Sequence, residues 1–292
     1  MLCQYFYHCL AHASQMIRKL PVLLWIMLAM DASYADSTFS NRDSSLVISV
    51  GGNIATVNSS FSIDKGKTGN KKQLDLEDDL GIDETITMAG ISGRWKISPR
   101  HRLRFSYQAL ERRGKFSTDE TLNFDKFTVS AGAEGRTTFD IELAEIDYSY
   151  VFYQSGGLET AVSIGIYNTR YELGIDFTGE IISSENSTSL DTAQEKVRVS
   201  KAMPLIGASA KYYFTPKLAA NASVFYLDVD DGGVKGNISS FTVNMDYSFA
   251  RHWGVGIAAT YFGMDLDIEG DFSKMNFDWD YSGVGLYLNW YY

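Results

Sequence analysis

Cysteine, histidine and proline are scarce in this sequence of 292 residues, and each scarcity narrows what the chain can be. Both cysteines lie within the first nine residues, so the rest of the chain can hold no disulfide, a composition that fits export without disulfide bonds. Only four prolines occur, and no proline- or serine-rich linker follows residue 45, which favours a single domain. Aromatic residues, in contrast, make up 14% of the chain and favour β-structure.

The first 35 residues are predicted to form a cleaved signal peptide. Two basic residues precede the apolar run LPVLLWIMLAM, which is too short to cross a bilayer as a helix. Small residues at positions 33 and 35 stand where a signal peptidase recognises its substrate, so we expect cleavage after Ala35. Met16 would begin a compact signal peptide by itself, and residues 1–15 would then reflect an upstream start.

The mature domain would comprise residues 36–292 and would be strongly acidic. Residues 1–35 carry two cations and one anion, so cleavage changes the net charge from −10 to −11. Such a charge disfavours nucleic acid as a partner and suits solubility or the attraction of cations. No pattern in the sequence points to a cofactor.

Segments of alternating apolar and polar residues fill the chain after residue 45. Four connections between them are short and rich in turn-forming residues, whereas five are long and polar, which is typical of an up-and-down transmembrane β-barrel. We therefore predict an all-β antiparallel barrel of ten strands, with eight or twelve as alternatives. The predicted strands cover 46–64, 84–97, 101–116, 137–153, 158–178, 200–214, 217–229, 238–249, 253–269 and 279–292. The long connections cover 65–83, 117–136, 179–199, 230–237 and 270–278.

The two faces of the clearest strands differ in polarity. In FTVNMDYSF (241–249) the odd-numbered residues are apolar or aromatic and the even-numbered residues are polar. RLRFSYQAL (102–110) has the same alternation, with two arginines on its polar face. A soluble barrel would bury the apolar face. Here the charged face is predicted to point inward and the apolar face to contact lipid.

Three strands interrupt this alternation. The apolar positions change parity between Leu143 and Ile146, and similar changes occur near Tyr167 and Phe262. We expect β-bulges there, or emergence of the strands above the bilayer. Aromatic residues gather at both ends of the predicted strands, and we expect them to form two girdles at the membrane interfaces. The outer girdle would contain Tyr171, Phe177, Tyr226, Tyr261, Phe262, Phe277, Trp279 and Tyr281.

The last ten residues, GVGLYLNWYY, alternate strictly and end on an aromatic residue. In this respect the chain resembles the Gram-negative outer-membrane β-barrel superfamily, including OmpA- and OmpW-like barrels. In that superfamily the barrel-assembly machinery reads a C-terminal strand that ends in an aromatic residue, usually phenylalanine. The resemblance implies a location in the cell outer membrane and contact with lipid and lipopolysaccharide, and it leaves any extracellular partner unknown. It assigns the assembly signal to Tyr287, Leu288, Trp290 and Tyr292.

The densest cluster of acidic residues lies in the first long loop, within DLEDDLGIDE (75–84). Clustered carboxylates suit a divalent cation, but the spacing is not that of an EF-hand, and apolar residues alternate through the stretch. We favour an ordered loop that packs its leucines over the barrel mouth, with a metal site as the alternative. Further acidic residues in 228–233 and 265–271 would form either a solvated face or a rim that recruits cations or bridges to lipopolysaccharide. The acidic residues of the first loop are Asp75, Glu77, Asp78, Asp79 and Asp83.

Charged residues of both signs fall on the predicted inward face. A selective pore would show one dominant sign, whereas mixed signs favour a network of ion pairs across the lumen. Ten strands enclose a narrow lumen that side chains can largely fill, so a plugged or very narrow barrel is favoured over an open pore. The predicted lumen charge network contains Arg94, Lys96, Arg102, Arg104, Glu142, Glu145, Asp147, Arg170 and Glu172.

Catalysis is not expected. Outer-membrane hydrolases use a histidine as general base near the outer rim, but His101 and His252 both lie in predicted periplasmic turns. The Asp-x-His spacing that omptin proteases use is also absent. The sequence favours a non-enzymatic outer-membrane protein with a structural or surface-interacting role through acidic extracellular loops. A narrow porin-like channel for small solutes or cations is the first alternative, and an outer-membrane hydrolase is the second.

Overall fold

The computed structural model describes residues 42–64, 71–79, 81–117, 122–123, 127–183, 189–231, 234–269 and 274–292. The predicted signal peptide, its cleavage position and both cysteines lie outside these residues. Among the described residues, no helix has the length and apolar character that a membrane crossing requires. The strands are β1 (Leu46–Asp64), β2 (Lys71–Asp75), β3 (Thr85–Lys96), β4 (His101–Ser117), β5 (Leu122–Asn123), β6 (Phe127–Val129), β7 (Glu134–Ser155), β8 (Leu158–Ser183), β9 (Ser189–Tyr213), β10 (Leu218–Asp231), β11 (Val234–Ser248), β12 (Trp253–Glu269) and β13 (Lys274–Tyr291).

Ten long strands form one closed antiparallel barrel, which confirms the predicted fold class and strand number. Each long strand pairs with its neighbours in chain order, and β13 closes the ring against β1. The three short strands β2, β5 and β6 add to the sheet at the end opposite to the C-terminal Tyr292. Closure leaves no long strand with an unpaired edge over the membrane-spanning part, which a lipid environment demands.

Four short turns mark one end of the barrel, at 97–100, 156–157, 214–217 and 249–252. The turn at 156–157 has only two residues, which is possible because Gly156 adopts a left-handed φ of 59°. In outer-membrane barrels the short turns face the periplasm, and the C-terminus lies at this end.

Three of the predicted long loops are largely strand. β8 continues to Ser183, β9 begins at Ser189, and β11 and β13 begin at Val234 and Lys274. The predicted loops 179–199, 230–237 and 270–278 were therefore too long. Because these strand ends rise above the bilayer, no lipid selects an apolar outer face there, and the membrane pattern stops before the strand does.

An apolar band surrounds the barrel next to the periplasmic turns. Leu286 is 70% exposed and Ile54 is 60% exposed, values that suit side chains in contact with lipid. At the periplasmic edge of the band, Trp95, Phe152 and Phe249 also point outward and form the expected inner girdle. About ten residues per tilted strand are enough to cross the apolar layer. The longest strand, β8, has 26 residues, so the barrel projects well beyond the outer leaflet.

Above this band the hydrophobic side of the wall changes from outward to inward. In β7, Ile146 is exposed on the outer face, whereas Ile141 and Leu143 are buried inside the barrel. The pairing of β7 with β8 shifts register only at Val151/Tyr153 among its described pairs. Of the two expectations for the change of parity between Leu143 and Ile146, the bulge is therefore wrong, and emergence above the bilayer is left. The side chains of the strand alternate regularly between the two faces throughout. Within the bilayer the outer face meets lipid and the inner face a polar lumen, whereas above the bilayer the outer face meets water and the inner face an apolar interior.

Aromatic side chains close the lumen at the outer edge of the apolar band. The ring centroids of Tyr171 on β8 and Trp279 on β13 lie 6.0 Å apart in an edge-to-face arrangement. Four long strands separate β8 from β13 in either direction around the ring, so this contact spans the full diameter. We name the inward aromatic group the aromatic plug: Tyr167, Tyr171, Phe262, Phe277, Trp279 and Tyr281.

The aromatic plug replaces most of the predicted outer girdle. Trp279 is 1% exposed, and Phe262 and Tyr281 stack within the barrel with their ring centroids 5.2 Å apart. Phe177 is also buried, in a smaller apolar cluster with Val129 and Ile181. The prediction that these residues contact the membrane interface is wrong, because they lie on the inward face once the strands have left the bilayer.

Candidate functional site

A polar chamber of about 390 Å³ lies between the aromatic plug and the periplasmic turns. Tyr167, Phe262 and Tyr281 form its ceiling, and its lining extends down to Glu159 and Tyr291 near the periplasmic end. The charged residues that line the chamber are Arg94, Arg102, Arg104, Glu145, Glu159, Lys211 and Asp246.

Arg104 on β4 connects several strands of the chamber wall at about half the height of the chamber. Its Nε donates to Oδ2 of Asp147 at 2.7 Å, and its Nη2 donates to Oε1 of Glu145 at 3.1 Å. The guanidinium carbon lies 4.6 Å from the ring centroid of Phe225 on β10, almost opposite in the ring of strands. A cation held between two carboxylates and an aromatic face has its charge compensated within the wall, which favours a structural role for this group.

Arg42, just before β1, crosses the periplasmic end of the chamber. Its Nε donates to Oε1 of Glu159 at 3.2 Å, and its Nη1 donates to the carbonyl oxygen of Gly156 at 3.2 Å. Glu159 also pairs with Arg102, and Lys96 donates to the carbonyl oxygen of Arg42 at 3.2 Å. Three long strands separate β1 from β8, so the chain before β1 reaches across the periplasmic opening.

Asp246 on β11 organises the opposite wall. The hydroxyl of Tyr287 donates to its Oδ1 at 2.8 Å, and Nδ2 of Asn289 donates to the same oxygen at 3.0 Å. Nζ of Lys211 lies 3.7 Å from Oδ2. Tyr287 can reach this carboxylate because Gly256 on β12 has no side chain, since a Cβ there would lie 2.2 Å from the tyrosine ring.

Three residues of the predicted lumen network lie on the outer face of the barrel instead. Arg170 donates through Nη1 to Oε2 of Glu142 at 3.0 Å, and Arg198 donates through Nε to Oε2 of Glu172 at 2.6 Å. Their strand neighbour Tyr171 packs inside the plug, which fixes the opposite parity as outward. The inward position predicted for Glu142, Arg170 and Glu172 is therefore wrong, because the hydrophobic face has already changed sides at this height. The structure places the other six on the inner face: Arg94, Lys96, Arg102, Arg104, Glu145 and Asp147.

A buried arginine holds the first acidic loop onto the barrel mouth. Arg112 is 2% exposed on the inner face of β4 and pairs with Glu77. Its Nη2 also donates to the carbonyl oxygen of Asp83 at 2.8 Å, and its Nη1 donates to Oγ of Ser59 at 3.1 Å. The sequence reasoning missed Arg112, although the inward face of RLRFSYQAL, continued two residues further, leads to it.

The other carboxylates of this loop do not converge on one point. Oδ1 of Asp75 accepts hydrogen bonds from the backbone nitrogens of Glu77 and Asp78, each at 3.0 Å, which orders the turn. Oδ2 of Asp79 accepts from the backbone nitrogen of Asp75 at 2.7 Å, and Asp83 is exposed. No group of acidic, histidine or cysteine residues with the arrangement of a metal site occurs in the described part of the chain.

The apolar residues of the loop pack as the ordered-loop interpretation expects. Leu76 and Ile82 are buried in the apolar interior, whereas the side chains of Leu74 and Leu80 lie outside the described set.

The residues assigned to the assembly signal divide between the two faces of β13. Leu288, Trp290 and Tyr292 are exposed on the lipid face, and the rings of Trp290 and Tyr292 lie 5.9 Å apart. Tyr287 points into the chamber.

No protein-family model and no curated protein sequence matches the chain. Among solved structures, the outer-membrane protease OmpT from Escherichia coli is similar over 89% of this chain and 100% of that chain, with 12% identity and a TM-score of 0.55. The transport unit of the autotransporter AIDA-I from Escherichia coli matches over 91% and 95%, with 10% identity and a TM-score of 0.41. The outer-membrane protein OprG from Pseudomonas aeruginosa matches over 84% and 96%, with 11% identity and a TM-score of 0.29.

The likeness to OmpT and the closed ring of ten strands agree on the fold, an up-and-down antiparallel β-barrel of the type found in outer membranes. At such identities the likeness extends to the fold alone.

Proposed function

We propose that this chain is a sealed, non-enzymatic outer-membrane protein with a structural or surface-interacting role, carried by the part that projects above the bilayer. The observation that carries the proposal is the contact between Tyr171 and Trp279 across the full diameter. An aqueous path would have to pass this contact and the surrounding rings. Apolar constrictions of this kind exclude water and ions.

The positions of the histidines support a non-enzymatic role. Nδ1 of His252 lies 2.8 Å from the carbonyl oxygen of Tyr291, and His101 contacts the hydroxyl of Tyr148. These two, the histidines of the described residues, lie at the periplasmic turns, far from the projecting rim where an extracellular substrate would arrive. A surface hydrolase of the histidine-dependent type would need its general base at that rim.

The first expected result is electrical silence. The refolded mature chain, residues 36–292, should give no conductance steps in a planar bilayer with KCl, because the aromatic plug leaves no ion path. Heat-modifiable gel migration of the same preparation would confirm a folded barrel. Reproducible steps with cation preference would contradict the proposal and favour a narrow channel.

The surface role rests on exposed carboxylates of the projecting part. The exposed Asp278 on β13 stands directly opposite the half-buried Asp265 on β12, and like charges in this position repel each other unless a cation screens them. Such carboxylates would recruit divalent cations and, through them, the phosphates of lipopolysaccharide. We give the name acidic rim to the exposed aspartates of the acidic stretches 75–84, 228–233 and 265–271, together with Asp278: Asp78, Asp79, Asp83, Asp228, Asp230, Asp267 and Asp278.

The second expected result concerns this rim. Changing Asp78, Asp83 and Asp230 together to asparagine should weaken magnesium-dependent retention of lipopolysaccharide severalfold, measured by co-purification. Folding stability should change by only about 0.5 kcal/mol per exposed site. Asp43→Asn, which removes an exposed carboxylate near the periplasmic end, serves as the control. Equal retention by the triple variant and the control would contradict a role for the rim.

A further inference from the structure

Arg94 is the one cation of the chamber that has no hydrogen bond or ion pair with any described residue. On the inner face it stands directly opposite Arg104, and the next inward pair places Lys96 opposite Arg102. Like charges directly opposite each other in a sheet destabilise it. The carboxylates of β7 and β8 bind Arg104 and Arg102, which leaves the guanidinium of Arg94 without a counter-ion.

Cations outnumber carboxylates at this end of the barrel. Glu159 is shared by Arg102 and Arg42, and Asp246 is held by Lys211 and by neutral donors. Nε of Arg102 is a buried donor with no acceptor among the described residues. A second unmet donor therefore lies on the same wall as Arg94. The cationic side chains are Arg42, Arg94, Lys96, Arg102, Arg104 and Lys211, against the four carboxylates Glu145, Asp147, Glu159 and Asp246.

We propose that the chamber binds a small molecule through an oxyanion group, a phosphate or a carboxylate, with Arg94 as its main ligand. A guanidinium presents paired N–H donors that match either oxyanion, and charge-assisted bonds of this type are the strongest that a side chain makes. The chamber volume of about 390 Å³ lies within the range of small-molecule sites. This site is independent of the acidic rim and goes beyond the surface role proposed above.

The ligand enters from the periplasm. The aromatic plug closes the outer end of the chamber, whereas the periplasmic end is crossed by the side chain of Arg42, which retains 31% exposure. A long side chain that is partly solvated can move aside at low cost, while a packed aromatic group cannot. Solutes in the periplasm are therefore the source of the ligand.

Titration calorimetry on the refolded mature chain, in a phosphate-free detergent at fixed ionic strength, tests the site. Inorganic phosphate and succinate are the two probes, and sodium chloride is the reference. We expect at least one probe to bind. Arg94→Gln should weaken that binding at least tenfold, and Arg94→Lys should restore part of it. Arg100→Gln, a charge loss at an exposed arginine in the neighbouring turn, should leave binding unchanged.

Stability without ligand separates a binding role from a structural one. If Arg94 serves the ligand, Arg94→Gln should unfold no earlier than wild type in the absence of phosphate and succinate, because the substitution relieves repulsion by Arg104. Phosphate or succinate should then raise the unfolding temperature of wild type but not of the variant. Absence of binding by both probes, or equal binding by wild type and Arg94→Gln, would overturn the proposal.

Discussion

Replacing Tyr171 and Trp279 together by alanine is expected to turn a silent barrel into a conducting one. Removal of both rings deletes the contact that spans the diameter and leaves a gap beside Phe262 and Tyr281. Below the gap lies a polar chamber, so ions that pass the gap meet charged walls. Single-channel recording in KCl should show discrete steps for the double variant.

The same substitutions should cost stability. A buried tryptophan or similar ring replaced by alanine typically loses about 3–5 kcal/mol, and Trp279 is 1% exposed. Urea unfolding in lipid vesicles would measure the loss. Trp253→Ala removes a tryptophan from the lipid face and is the matched control, which should stay silent. A folded double variant that remains silent would show that the aromatic plug is not what blocks conduction.

Arg112→Ala is expected to release the first acidic loop and to destabilise the projecting part of the barrel. The substitution removes the partner of Glu77, whose side chain is only 7% exposed, and also the donor to the carbonyl oxygen of Asp83. Breaking a buried ion pair by deleting one partner typically costs about 3–5 kcal/mol, because the other charge remains buried. Limited proteolysis within 76–84 should be faster than in wild type.

The adjacent arginine is the control for that experiment. Arg113 points outward and pairs with Glu111, with side chains 75% and 52% exposed. Exposed pairs contribute about 0–1 kcal/mol, so Arg113→Ala should leave both the loop and the unfolding midpoint nearly unchanged. If the two variants behaved alike, burial of Arg112 would not be what orders the loop.

The membrane-spanning half of this protein could be predicted from sequence almost to the residue. The bounds predicted for 46–64 and 253–269 are those of β1 and β12. Lipid on one side and a polar lumen on the other impose a period-two pattern that is visible in a single chain. Short turns punctuate this pattern at residues such as Gly156.

The projecting half could not be predicted in the same way. There the apolar face of each strand points inward. From the sequence, apolar residues were assigned to the outer face throughout, which placed Trp279 in the outer girdle and Glu142 in the lumen. The parity change near Leu143 was visible, but a bulge and an emergence from the bilayer give the same sequence pattern. Only the continuous register of β7 with β8 decides between them.

The charge network could be predicted only in part, because the residues that pair with each other are distant in sequence. Alternation placed Arg104 on the inner face, but it could not predict the contact with Phe225, which is 121 positions further along the chain. Likewise, the closing role of Arg42 depends on Glu159, which is separated from it by 117 positions. Alternation predicts a face, whereas the partner on the opposite wall follows from closure of the ring.

The contact between Tyr171 and Trp279 also fixes the cross-section of the barrel above the bilayer. Lipid packs against the barrel only within the bilayer, so the strands that rise above it lack this lateral support. The packed rings of Tyr171 and Trp279 join opposite walls and hold them at a fixed distance without lipid support. The geometry presented to the extracellular side is therefore set by the protein itself, and it should stay the same in membranes of different thickness.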